Sequence, residues 1–109
     1  MNGTKEFINN TGLNLKVILT VRCGDRPGCV YNVEEFCLRC GEKKCVNFGN
    51  ECNNQLDGIR AFSDDNGGCT ETALFVRCCG SPIDRLLNKN REIVFVRAAQ
   101  SLVISGCHR

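Results

Sequence analysis

The sequence of 109 residues has no tryptophan, one tyrosine, one methionine, one histidine and two prolines. Six phenylalanines bring the aromatic share to only 6%. A core built on bulky rings is excluded, and so is the row of stacking aromatics that holds single-stranded nucleic acid. The one histidine, His108, stands next to the end of the chain, so a buried Ser-His-Asp or Cys-His arrangement is not expected. No apolar run approaches the roughly 20 residues needed to cross a bilayer as a helix. An excess of either charge is lacking too: nine Arg and five Lys are scattered among twelve acids, for a formal net charge of +2. Nucleic-acid binding calls instead for a concentrated basic stripe. Glycine-rich phosphate loops, dinucleotide fingerprints and His-Glu-x-x-His are missing as well. These gaps together predict a protein that is not an enzyme and has no nucleic-acid partner.

Cysteine is what the chain has in abundance: ten residues, Cys23, Cys29, Cys37, Cys40, Cys45, Cys52, Cys69, Cys78, Cys79 and Cys107. At about 9% this lies in the range of disulfide scaffolds or metal sites. All ten are disulfide candidates, and because ten thiols allow roughly 900 complete pairings the connectivity is not readable. The hydrophobic share of 42% and charged share of 24% are those of a globular chain, and the length predicts one domain over 1–109 with one core.

Leu13, Leu15, Val17, Leu19, Val21 and Cys23 alternate with Asn14, Lys16, Thr20 and Arg22, which predicts a half-buried strand. Gly24-Asp25-Arg26-Pro27-Gly28 predicts a chain reversal. A returning strand is expected over Cys29–Cys40, bulged at Glu34-Glu35 where the alternation slips. Shorter strands are predicted at Thr4–Asn9, Lys44–Phe48 and Leu56–Ser63. Asp64-Asp65-Asn66-Gly67-Gly68 is a hairpin signal, since Asn-Gly supplies the positive φ of a primed turn; its partner strand is expected over Cys69–Cys79. Ser81–Asn88 is the one helical segment, with Ser81 as N-cap, Pro82 at the first position and Asp84 in the first turn. Glu92–Ala98 and Leu102–Cys107 form a last hairpin. About eight strands with one short helix near 81–88 predict an all-β fold, a two-sheet antiparallel β-sandwich or jelly roll.

Cys37-Leu38-Arg39-Cys40-Gly41 is the most specific local motif. Two thiolates two residues apart and followed by glycine can form a metal knuckle, and Cys45 and Cys52 are near enough in sequence to complete four ligands for zinc or an iron–sulfur cluster. The second pair is six residues apart and no second knuckle repeats, so disulfides are the preferred reading and no cofactor is expected; the metal site is its alternative. A stapled hairpin between Cys29–Cys40 and Lys44–Phe48 fits the aromatic-poor interior. Adjacent Cys78 and Cys79, on a predicted strand, are expected to point to opposite faces, Cys78 into the core and Cys79 beside Arg77, whose charge could favour a thiolate. Cys107 near the chain end, and Cys52 in a loop, are the cysteines best placed to bond a neighbouring subunit.

The remaining constellations have plainer readings. Asp57, Asp64, Asp65, Asn66 and Glu71 could donate oxygens to calcium, but they match no EF-hand and read as turn residues. Glu34 and Glu35, adjacent on a strand, face apart, so they make no acid–base pair. The glycosylation triplets Asn2-Gly3-Thr4 and Asn9-Asn10-Thr11 receive no role.

A cysteine-rich sandwich without catalytic signatures resembles, in architecture alone, subunits of cell-surface or spore-associated appendages and cross-linked coats. The expected function is that of a structural or interaction protein, a disulfide-hardened subunit that forms a homo-oligomer through strand edges or intersubunit disulfides. That implies an extracellular or cell- or spore-surface location. The first residues show no basic start, apolar middle or cleavage site of a secretory signal peptide, so a cytoplasmic location goes with the metal-binding alternative.

Overall fold

The computed structural model describes residues 3–63, 70–98 and 101–107, the side chain of Cys107 excepted. Eight strands and one helix follow in the order β1 (Gly3–Asn10), β2 (Leu15–Arg22), β3 (Val30–Leu38), β4 (Lys43–Phe48), β5 (Leu56–Ser63), β6 (Thr70–Phe75), α1 (Pro82–Asn88), β7 (Glu92–Ala98) and β8 (Ser101–Cys107). They make two four-stranded sheets, β4-β1-β7-β8 and β3-β2-β5-β6, so the chain is an all-β sandwich. Alternation decides which residues fill it. Val17, Leu19 and Val21 of β2, Ile59 and Ala61 of β5, Phe7 of β1 and Ile93 and Phe95 of β7 are fully buried between the sheets, one residue in two, as the pleat requires. Phe7 touches both Phe36, with centroids 5.1 Å apart, and Phe95, at 6.5 Å, so three rings span the layers at the centre of an otherwise aliphatic core.

Two expectations about pairing are corrected. The first sheet is mixed, because β1 and β7 run parallel (Glu6 opposite Glu92, Asn10 opposite Val96). The reason lies in α1: β6 ends at the same end of the sandwich where β1 begins, and the short helix carries the chain across to the first sheet at that end, so β7 has to leave in the direction of β1. The proposed β3–β4 hairpin also does not form, since β3 pairs with β2 and β4 with β1. Buried Asn9 explains this. Its Nδ2 donates to the carbonyls of Leu13, Leu38 and Arg39 at 2.7, 2.9 and 3.1 Å. The backbone of Asn9 exchanges hydrogen bonds with Glu42 and Gly41, and Gly41 has the positive φ of 77° that the sharp turn needs. The chain leaves sheet two at Leu38 and is received at once by β1.

The other hairpins stand: β2–β3, β5–β6 and β7–β8 are antiparallel pairs. The bulge in β3 falls opposite Val21 and Arg22, where the register skips Tyr31, three residues before Glu34. The tip Asp64–Gly68, with Cys69, lies outside the described residues. So do Asn2 of the first glycosylation triplet and His108. The helix starts as the sequence dictates: Ser81 is the N-cap and its Oγ accepts from Asp84 N at 3.3 Å, with Pro82 at the first turn. Among the described residues no helix is long and apolar enough to cross a membrane.

Candidate interaction surface

Among the described residues a disulfide joins Cys23 to Cys29, with Cα atoms 5.1 Å apart, and closes the turn 24–28. Cys37, Cys40, Cys45, Cys52, Cys78 and Cys79 are free and exposed. Among the described residues no group of three or more His, Cys, Asp or Glu is placed to hold a metal ion. The four thiols of the knuckle reading fall on different elements: Cys37 is on β3 opposite Lys16, Cys40 is in the turn between β3 and β4 with its N–H on Asn14 Oδ1, Cys45 is on β4 opposite Glu6 in the other sheet, and Cys52 is in the loop between β4 and β5. The inward position expected for Cys78 is also corrected. β6 ends at Phe75, and Cys78 and Cys79 fall in a turn closed by Ser81 N–H on the Cys78 carbonyl at 3.2 Å, with Gly80 at φ 77°. Strand alternation no longer applies there, so both thiols are exposed.

Sequence reasoning missed the buried charge at this end of the sandwich. Arg22 closes β2 and is fully buried, although the alternation marks it as an outward residue. Its Nε donates to Asp57 Oδ1 at 3.1 Å, Nη1 to Gln55 Oε1 at 2.9 Å, and Nη2 to Asp84 Oδ1 at 3.0 Å and the Leu56 carbonyl at 3.3 Å. Asp57 takes the Gly28 N–H on both oxygens, at 3.1 and 3.0 Å. Asp84 receives Gly80 N–H at 2.8 Å and Asn88 Nδ2 at 2.8 Å. Burial alone would raise the Asp84 carboxyl; the donors from Gly80, Asn88 and Arg22 together hold it below its ordinary value. A buried guanidinium is tolerable only with its donors satisfied and its charge matched, which this network achieves. The calcium reading of Asp57 and Glu71 gives way accordingly, since Asp57 is engaged by Arg22 and Glu71 pairs with Arg60. The signal that could have revealed the network is an Arg at the end of an apolar strand immediately before a cysteine, with Asp57 and Asp84 flanking later elements.

A second polar group lies on the outer face of the first sheet. Glu6 and Glu92 are register neighbours across the parallel pair, and Lys43 reaches both, Nζ lying 3.0 Å from Glu6 and 3.7 Å from Glu92. The hydrogen bond from Lys43 draws the Glu6 carboxyl below its usual range. One ammonium thus serves two carboxylates, and all three side chains are engaged with one another. Inside, Lys5 is buried with Nζ donating to the Asn90 carbonyl, and desolvation lowers its pKa to about 8. Glu34 and Glu35 do face apart: Glu34 accepts from Gly49 N–H at 2.9 Å and Glu35 pairs with Lys16 on the outer face.

The outer face of the second sheet is where apolar side chains meet solvent. The registers align Val33, Thr20, Gly58 and Phe75 in one row across β3, β2, β5 and β6. Val33 is 57% and Phe75 48% exposed, and at the start of β3 Val30 and Tyr31 are 52% and 46% exposed. Phe75 lies over Gly58, where a Cβ would come within 2.3 Å of its ring; only glycine gives the ring this flat seat. The next row holds Glu35, Ile18, Arg60 and Ala73, and the one after it Cys37, Lys16, Phe62 and Glu71. Lys16 is paired to Glu35 and Arg60 to Glu71, so the rows beside the apolar one carry both signs equally. Half-exposed large side chains gathered in one row mark an interaction surface more than scattered ones do.

No protein-family model matches the chain, and no curated protein matches it in sequence. Among solved structures the fold is similar to that of the T6SS lipoprotein TssJ1 from Pseudomonas aeruginosa, with a TM-score of 0.50 over 100% of this chain and 99% of that one, at 16% identity, a likeness of fold.

Proposed function

We propose that this chain is a non-catalytic β-sandwich subunit that associates with a second copy of itself through the outer face of β3-β2-β5-β6. The observation that carries this reading is the exposed row Val33, Thr20, Gly58 and Phe75, flanked by Tyr31 and Val30. The neighbouring rows favour a second copy as the occupant. Lys16 with Glu35 and Arg60 with Glu71 balance in charge, and a balanced face is complementary to itself across a two-fold axis, where residue i meets j and j meets i. An acidic polymer would find no net attraction there.

The bridge at Cys23–Cys29 supports an oxidising location such as a cell surface or envelope, since cytosolic thiols stay reduced. The fold shared with a lipoprotein of a secretion assembly supports the same setting and a structural role. The exposed thiols supply the means for cross-links between subunits, with Cys52 in its loop a favoured donor, and Cys107 is proposed as a second donor from its sequence position alone.

Sedimentation equilibrium in oxidising buffer tests the association. The wild type is expected to form dimers, and Val33→Glu and Phe75→Glu each to shift it to monomer while leaving the β-sheet circular dichroism intact. A wild type that stays monomeric at several hundred micromolar, or variants that dimerise as well as it does, would overturn the reading.

A further inference from the structure

The disulfide loop, the buried charge network and the Phe75 end of the exposed row meet at one residue, Asp57. Its side chain holds the Gly28 N–H inside the Cys23–Cys29 loop, and its carboxylate is paired with Arg22. Its backbone carbonyl accepts the N–H of Val76, the residue after Phe75, at 2.8 Å. Its chain neighbour is Gly58, on which the Phe75 ring rests. On the other flank, Val30 follows Cys29 directly and begins β3.

From this juxtaposition we infer that the Cys23–Cys29 bridge is a redox latch on the interaction surface. Closed, it holds the start of β3 and the Phe75 end of the row in place; opened by a dithiol reductant, it releases them. The inference rests on the proposed docking face and adds its regulation.

The loop 24–28 has little else to order it. Asp25, Arg26 and Gly28 are exposed and Gly24 and Pro27 only half-buried, so no apolar burial offsets the entropy of fixing them. What remains besides the bridge is a few hydrogen bonds: Cys23 N–H to the Cys29 carbonyl at 2.8 Å, Arg26 N–H to the Cys23 carbonyl at 3.4 Å, Cys29 N–H to the Arg26 carbonyl at 3.1 Å, Gly24 N–H to Asn53 Oδ1, and Gly28 N–H to Asp57. Cys23 and Cys29 are themselves half-buried, so a small dithiol can reach the bridge. In the reaction the reductant's two thiols give up two electrons and two protons. The Cys23–Cys29 S–S bond breaks to two thiols, and the reductant closes to its own disulfide. Once the loop opens, Gly28 leaves Asp57 and water reaches the Arg22–Asp57 pair, which weakens it as the local dielectric rises. Arg22 also holds Asp84, and Asp84 holds Gly80, so the loosening passes from the loop to the turn at Cys78–Gly80 and to Val76 beside Phe75.

Amide hydrogen exchange by NMR on the full chain, oxidised and then treated with dithiothreitol, tests this. Reduction is expected to raise exchange at Gly28, Val76 and Gly80 by about tenfold or more. The amides of Asn9 and Gly41, hydrogen-bonded at the opposite end of the sandwich, are expected not to change. A rise confined to 24–29, or an equal rise at Asn9 and Gly41, would overturn the latch. The Cys23→Ser, Cys29→Ser double variant is expected to reproduce the reduced pattern; should it not fold, the dithiothreitol experiment on the wild type still decides. A monomeric oxidised protein in sedimentation would end the docking reading without touching the exchange result, so the two failures are separable.

Discussion

Arg22 shows how much one side chain can organise. Its guanidinium is matched by two carboxylates and two neutral acceptors, and removing it leaves Asp57 and Asp84 facing each other without a counter-ion. Arg22→Met is therefore expected to cost about 3–5 kcal/mol in urea denaturation at neutral pH; a loss under about 1 kcal/mol would mean that water already solvates the pair. Lys5 carries the opposite lesson. Its pKa falls from 10.5 to about 8 on folding, so between those values the unfolded chain binds more protons than the folded one. Stability is then expected to rise with pH from about 8 to 10.5 and to stay at its lower level below 8. Lys5→Met should flatten that rise, as thermal melts across this window would show; an unchanged slope would assign it elsewhere. Asp84 is also shifted down, but for a carboxyl this is stabilising: held below its ordinary 3.8, it contributes stability above that value and loses it as pH falls further.

Among the elements, the helix is small and its cap matters in proportion. α1 spans Pro82–Asn88, buries Leu87 and Asp84, and is tied to β5 by Asn88, which bonds both the N–H and the carbonyl of Leu56. Ser81→Ala removes the acceptor for Asp84 N–H and is expected to lower stability by about 1 kcal/mol, measured by chemical denaturation; no change would show that tertiary contacts alone define the helix start. The strands divide by their edges. β6 and β8 pack against each other, while β4 presents Lys43 and Lys44, the usual charged guard of an edge. β3 is blunted by its bulge at Tyr31, whose hydroxyl accepts from Asn50 Nδ2 at 3.0 Å, and by Lys44, whose Nζ donates to the Cys37 carbonyl at 2.8 Å. Edge-to-edge addition of another strand is thus discouraged, and association by the exposed face fits this architecture better than the strand-edge association read from sequence.

For the whole molecule, the distribution of sulfur is unequal. Cys23, Cys29, Cys52, Cys78 and Cys79 all belong to loops at the Arg22 end of the sandwich, linked by the bonds from Gly24 to Asn53, Gly28 to Asp57 and Gly80 to Asp84. Only Cys23 and Cys29 are joined among the described residues, so the core coheres by packing more than by a covalent framework. Alkylation of the native, non-reduced protein followed by intact-mass measurement is expected to add at least six labels, one for each free thiol. The Cys23–Cys29 peptide pair should become alkylatable only after reduction. Fewer labels would point to further bridges and restore the denser scaffold expected from composition.

The sequence alone determined the elements: period-two alternation located the strands, Gly-Asp-Arg-Pro-Gly placed the first reversal, and Ser81-Pro82 with Asp84 set the helix start, because these signals are local and act within a few residues. It also excluded the common catalytic arrangements by what it lacks. The tertiary structure decided the rest: which strands became neighbours, the parallel β1–β7 pair, the transfer of β4 to the other sheet by Asn9, and the meeting of Cys23 with Cys29. It also buried Arg22, where alternation pointed outward, and aligned Val33 with Phe75 across four strands. Those outcomes depend on residues tens of positions apart arriving at one place, and no local pattern encodes such meetings; they follow from the packing that buries one face of each sheet against the other.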